Sequence, residues 1–391
     1  MAVYLDNQAT TPMPESIIEI YSSALKELGN PSSIHQSGQR QRGLLEDAKG
    51  QLSSLLGCEP AEIIFTSGGT ESINTVLKGA IWAAKSISGS DASNSIASTR
   101  AEHHATLDAL NWLTRHEKTN ISWIEVDSDA VLEVDGLADA LESRRQTIFT
   151  TLLANNEVGS IQPVAQAVQL CKHYDVLCHI DAVAALGYIP INFAELGATA
   201  MSVSAHKVGG PVGVGAVILG RDAPRFSSLV HGGDQQRMRS GTLDVAGVVA
   251  FAAALELREN LRKKQEKSLS RLRDDLMRGL LEEVPELVVR GSLSARLPGN
   301  LHFTVPACEG DVLLYLLDQH GIQVSTGSAC QAGVSQPSHV VMTMGSPERE
   351  ARGSLRFSLS YHNSTDEIKK VIAVFGDVVE QARAVGYASK R

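Results

Sequence analysis

Between Pro14 and about Leu255 the chain repeats one pattern, a short apolar run followed by a helix-length segment. The runs are IASTR (96–100), ISWIEV (121–126), TIFTTLLA (147–154), VLCHID (176–181), TAMSVSA (199–205) and GVGAVIL (213–219). They are rich in branched residues and apolar on both faces, as strands buried in a parallel sheet are. Parallel neighbours need long crossovers, and segments 105–116, 136–143 and 163–174 have helical length. The pattern predicts an α/β fold with a doubly wound, mainly parallel sheet.

The chain's 391 residues exceed what one compact core usually holds, which points to two domains. The segment 244–283 lacks proline and reads as one long helix leaving the first domain and ended by Pro285. Beyond it, ELVVRG, NLHFTV, an amphipathic helix near 309–319, SLRFSLS and a helix from about 365 predict a smaller α+β domain. Ser86–Ser95 (SISGSDASNS) has the composition of an exposed loop.

Composition excludes several functions. A net charge of −9 argues against general affinity for nucleic acid. No apolar stretch is long enough to span a membrane, and MAVYLDNQATTP lacks the features of a secretory signal, so a cytoplasmic location is expected. The five cysteines, at 58, 171, 178, 308 and 330, show no paired C-x-x-C spacing, and are read as thiols in a reducing compartment. No metal site is expected. Cys171, His173, Cys178 and His179 are divided by a helix-to-strand break.

Four segments carry candidate chemistry. In SAHKVGGPVGVG (204–215), Lys207 follows one apolar strand and precedes a glycine-rich turn and another. A partly desolvated lysine at a strand end suits covalent capture of a carbonyl, although a surface lysine in a hairpin-like loop fits the same letters. Asp181 closes VLCHID, where open α/β sheets bind ligands; a helix N-cap is the alternative. TSGGTES (66–72) lies between an apolar run and a helical stretch, as phosphate cradles do, without the lysine spacing of a nucleotide P-loop. Cys330 sits in the small-residue segment VSTGSACQAGVSQPSH, where a thiol can reach a substrate; Cys58, Cys171 and Cys178 look like packing residues.

These segments, with YLDNQATTP, GNPSSIH, EHHATLD, NNEVGSIQP, HIDAVAALG, RSGTLD and LRFSLS, occur in an order that resembles the NifS/IscS-like cysteine desulfurases of the class V aminotransferase superfamily. The resemblance spans nearly the whole chain. It implies fold type I: a large domain (15–255) with a mainly parallel seven-stranded sheet that binds pyridoxal 5′-phosphate (PLP). Residues 1–14 and 256–391 would form a small α+β domain carrying the cysteine segment. By the same resemblance Lys207 bonds the cofactor and shuttles a proton, Asp181 pairs with the pyridinium, and His103 stacks on the ring. Gly69, Thr70, Ser204 and His206 fall at phosphate-side positions. Thr242 would reach the phosphate of the other subunit of a homodimer. Asn156 and Arg356 would hold the carboxylate of L-cysteine. Cys330 would take the substrate sulfur as a persulfide, leaving alanine, and pass it to an acceptor protein of iron–sulfur assembly or tRNA thiolation.

Two departures stand out. Ala184 occupies the position where the family usually has a glutamine bonding the cofactor's 3′-oxygen, so a water or a neighbouring side chain is expected to serve that oxygen. The segment after Arg356 is shorter than in IscS-type members, which leaves the acceptor open. The competing readings are a selenocysteine lyase, a C–S lyase or an aminotransferase on the same fold, or a weakly active scaffold in sulfur trafficking.

Overall fold

A computed structural model describes residues 2–88, 94–143, 146–233, 236, 238–327 and 336–388. The chain begins with β1 (Val3–Tyr4), α1 (Glu15–Leu25), α2 (Gln36–Leu56) and β2 (Ile63–Thr66). There follow α3 (Gly69–Ser88), β3 (Ser95–Thr99), α4 (His104–Glu117), β4 (Asn120–Ile124), α5 (Val134–Ser143) and β5 (Ile148–Leu152). Next come α6 (Val164–His173), β6 (Leu177–Asp181), α7 (Phe193–Leu196), β7 (Ala200–Ser204) and β8 (Gly215–Leu219). The expected strands are therefore present, displaced by a residue or two at their ends. Their continuous apolar runs cannot sit on a half-wet surface; β5, β7 and β8 are buried throughout.

The large sheet has seven strands in the order β2-β8-β7-β6-β5-β3-β4. β3, β4, β5, β6 and β7 pair in parallel, and β8 runs antiparallel to both β7 and β2. The carboxyl ends of β2, β3, β5, β6 and β7 thus share one edge with the amino end of β8. The region Ser86–Ser95 differs from its expected loop. α3 continues through Ser88, Asn94 is buried and Ser95 opens β3, while 89–93 lie outside the described residues. Serines can occupy a helix end when tertiary packing outweighs their weak propensity.

The predicted long helix is α8 (Val245–Glu283). Asp244 caps it by accepting the Gly247 N–H at 3.0 Å, and it stops at Val284 before Pro285. Its first third is buried from Val245 to Leu255 apart from Val249 and Ala253. β9 (Val288–Arg290), β10 (Asn300–Thr304), α9 (Gly310–Gln319), β11 (Ile322–Gln323), α10 (His339–Thr343), α11 (Glu348–Ala351), β12 (Ser354–Ser358) and α12 (Thr365–Ala388) complete the chain. β12-β10-β9 form a separate antiparallel sheet, and β1 pairs in parallel with β11. Phe357 stands edge-on to Phe303 and Phe375, joining this sheet to α12.

At the seam between β8 and the turn after β2 the backbones nearly touch. A methyl group on Gly215 would lie 2.6 Å from Gly68 Cα and 2.7 Å from Val203 O. The Gly215→Ala variant is expected to lose about 1–3 kcal/mol of stability, because backbone cannot yield as a side chain does. Urea unfolding measures the loss; an unchanged midpoint would mean the seam is loose.

Candidate active site

Parallel strands end with unpaired backbone groups at the carboxyl edge, so the loops there are open to a ligand. Asp181 is the last residue of β6 and is 2% exposed. It accepts the Val183 N–H at 2.9 Å and makes no ion pair among the described residues. Burial pushes its pKa up to about 6, although the Val183 N–H and the Lys207 charge pull it down.

After β7, Ser204 is buried, and His206 and Lys207 lie in the 3₁₀ turn Ala205–Val208. The Lys207 ammonium donates to Ala9 O at 3.1 Å and to Gln8 O, so the amino-terminal segment reaches into the site. Thr11 Oγ1 donates to Lys207 O at 3.0 Å. His206 Nδ1 lies 3.4 Å from Thr10 Oγ1, and burial with the nearby Lys207 charge brings the ring down to about 4.

His103 is the N-cap of α4, its Nδ1 accepting the Ala105 N–H at 3.0 Å. Burial first, then Lys207, brings its pKa down to about 4, so the ring is neutral near pH 7. Gly69 opens α3, whose first-turn N–H groups face the turn after β2; Gly68 and Gly69 are half-buried and Thr70 is exposed. Arg239 pairs with Glu71 at 2.9 Å, and Gln236 bonds both backbone groups of Phe65. The segment leading to Thr242, which is exposed, is therefore fastened beside the same helix start.

Arg356 on β12 is 4% exposed; it donates to Asn156 O at 2.8 Å and to Asp6 Oδ1 at 2.8 Å. Its Nε and Asn156 Oδ1 are buried without hydrogen-bond partners. This guanidinium with a spare N–H suits a carboxylate ligand. Cys330 lies outside the described residues, as do its neighbours 328–335.

Sequence reasoning overlooked three acids and a histidine. Glu102, beneath His103, accepts Thr99 Oγ1 at 2.7 Å and Thr151 Oγ1 at 3.2 Å, and complete burial pushes it up to about 8. Glu157, Asp6 and His339 also border the site. Glu102 and Glu157 stood inside the quoted segments EHHATLD and NNEVGSIQP, but surface-type letters in loops carry no burial signal. Volume does not mark the site either. A cavity of about 1250 Å³ lies at the opposite edge, lined by Asn94, Gln146, Leu177, Thr199 and Gly220.

The residues fit PLP. Asp181 offers the anion a pyridinium requires, and the start of α3 offers N–H groups to a phosphate. A methyl on Gly68 would find only Ser204 Oγ, at 3.7 Å, so the cradle has room.

A family profile described as "Aminotransferase class-V" matches residues 3–371. An IscS-like cysteine desulfurase of Mycobacterium tuberculosis is 42% identical over 99% of this chain and 98% of its own. The cysteine desulfurase IscS of Dictyoglomus turgidum is 38% identical over 98% of this chain and 96% of its own. A solved NifS-like protein superposes with a TM-score of 0.89 at 32% identity, covering 97% of this chain and all of that one. The chain belongs to the class V aminotransferase family, whose cofactor is PLP. Within it, this is a cysteine desulfurase of the NifS/IscS-like group.

The buried acid gives a pH signature in the cofactor-free protein. The folded-state pKa of Asp181, about 6, lies above its ordinary value of 3.8, so burial disfavours the charged form. Stability is then lost as pH rises from about 4 to about 6. Asp181→Asn in the cofactor-free protein is expected to be more stable above pH 6, by on the order of 3 kcal/mol, with the gap closing below pH 4. Thermal melts across pH 4–8 test this, and parallel curves for both proteins would refute it.

Proposed function

We propose that L-cysteine desulfuration at this site divides among the residues as follows, the reading resting chiefly on the convergence of Asp181, Lys207, His103 and Arg356 at one sheet edge. PLP, when bound, supplies an electron sink for the substrate's Cα. Asp181 would face the pyridine nitrogen and keep it protonated. Lys207 carries the cofactor and afterwards moves the Cα proton. His103, neutral near pH 7, packs on the ring. Gly69, Thr70, Ser204 and His206 hold the phosphate.

Arg356 and Asn156 receive the substrate carboxylate, Arg356 having a buried Nε–H donor without a partner. Cys330 attacks the substrate sulfur: a sulfur–sulfur bond forms, the Cβ–S bond breaks, and the carbon fragment leaves as alanine after protonation. The sulfur then passes to an acceptor, either a protein of iron–sulfur assembly or tRNA thiolation, or a small thiol.

The reading includes a homodimer in which Thr242 reaches the partner's phosphate site. Leu25 at the end of α1, Leu28 and Ile34 between α1 and α2, and Val212 beside the Lys207 turn are 60–91% exposed, and such side chains favour association. It also includes a division into 15–255 and 1–14 with 256–391, supported by the separate sheets and the pairing of β1 with β11. A cytoplasmic location accords with the free thiols of Cys58, Cys171, Cys178 and Cys308. No described helix is long and apolar enough to cross a membrane.

Purified protein given L-cysteine and excess dithiothreitol, which reduces the persulfide, should yield equal alanine and sulfide. Cys330→Ala should stay yellow with PLP and lose at least about 99% of turnover, as expected when the nucleophile itself is removed. Undiminished alanine would remove Cys330 from the reaction, and sulfide released with pyruvate and ammonia in place of alanine would identify a C–S lyase.

A further inference from the structure

Segment 328–335 carries Cys330, and its two flanks meet at one buried acid. Glu157 is 1% exposed. On the far flank, Ser338 Oγ donates to Glu157 Oε2 at 2.5 Å, and His339 Nδ1 lies 3.7 Å from Glu157 Oε1. On the near flank Gly327 has φ 86°, and a methyl there would lie 2.8 Å from Glu157 Oε2 and 3.5 Å from His302 Nε2. The chain can pass so close to the carboxylate only because no side chain intervenes.

The same node is tied to the substrate seat. Glu157 follows Asn156, and its N–H donates to Asn155 Oδ1 at 2.9 Å while its carbonyl accepts Asn300 Nδ2 at 2.9 Å. Two residues before Gly327, Ser325 exchanges both backbone hydrogen bonds with Arg356, at 3.1 and 2.7 Å. Arg356 in turn donates to Asn156 O. His339 Nε2 bonds Glu102 O at 2.9 Å, which extends the connection to the residue before His103. A buried carboxylate needs hydrogen-bond donors, and here the described one, the Ser338 hydroxyl, comes from the far flank.

We propose that Glu157 is a positioning residue that bonds the far flank of the Cys330 segment, packs against Gly327 on the near flank, and so holds both beside the substrate seat of Asn156 and Arg356. It touches neither cofactor nor sulfur in this assignment. It sets where the cysteine segment departs and returns relative to the substrate carboxylate, and so governs the sulfur-transfer step rather than binding. The proposal rests on the reading of Cys330 as sulfur carrier.

The test is Glu157→Gln in the PLP-loaded enzyme, since the amide keeps the shape and removes the charge. Hydrogen exchange in the peptide spanning 324–341 should quicken at least about tenfold, while peptides of α3 and β6 stay unchanged. In single turnovers, persulfide labelling of Cys330 should slow at least about tenfold, with the KM for cysteine and the cysteine-induced change in cofactor absorbance retained. Unchanged exchange at 324–341 overturns the proposal, whatever cysteine carries the sulfur. Unaltered labelling, or a KM that rises as far as kcat falls, overturns it as well. Label on a different cysteine, with the exchange effect present, would break the Cys330 reading and leave Glu157 as the anchor of the segment. Should Glu157→Gln fail to fold, Ser338→Ala and His339→Gln each remove one contact and are held to the same two readouts.

Discussion

The candidate active site depends on the parallel pairing of β6 between β5 and β7. Because these strands run the same way, Leu152, Asp181 and Ser204 end at one edge, held in register by hydrogen bonds between buried neighbours. Everything chemical hangs from those ends: Asn155 and Asn156 after β5, the acid on β6, His206 and Lys207 after β7. A register slip would move Asp181 off the edge, and an antiparallel β6 would carry it to the opposite one. β8 is antiparallel, yet its amino end returns to the same edge, where Gly215 closes against Gly68.

The second constraint is the Arg356 guanidinium, which holds the small sheet to the large one at the site. It connects β12 to Asp6 and to Asn156 O while its Nε remains unpaired. A buried arginine costs desolvation unless it is bonded, and Asp6 supplies the charge. The amino-terminal segment thereby becomes part of the site, through Asp6 on Arg356 and through Gln8 and Ala9 on Lys207. Arg356, Lys207 and the small antiparallel sheet meet around one short stretch of chain.

Burial sorts the titratable groups by role. His103 and His206 are kept neutral by desolvation and the Lys207 charge, which suits packing against a ring and lining a phosphate site. Glu102 and Asp181 lie close together, and after burial and the Thr99 hydrogen bond the Asp181 charge makes Glu102 harder to ionise. Glu102, protonated near pH 7 by its burial, leaves the negative charge to Asp181, where a pyridinium can meet it.

Much of this was readable in the letters. Strands such as VLCHID and TAMSVSA are continuous apolar runs, and water permits such runs few other places, so their positions and the α/β class followed directly. Lys207 and Asp181 were legible because charged residues rarely end apolar strands without a task, and the ordered motifs named the family. Ser86–Ser88 misled, since serine and glycine composition resembles a loop until packing completes the helix. Strand order, the antiparallel course of β8 and the return of residues 3–9 to β11, Arg356 and Lys207 were not legible. Each depends on which distant surfaces are buried together, and that free energy belongs to pairs of segments, not to any window of sequence. For the same reason Glu157 and His339 were ordinary letters until the fold buried one beside the other, next to the chain that bears Cys330.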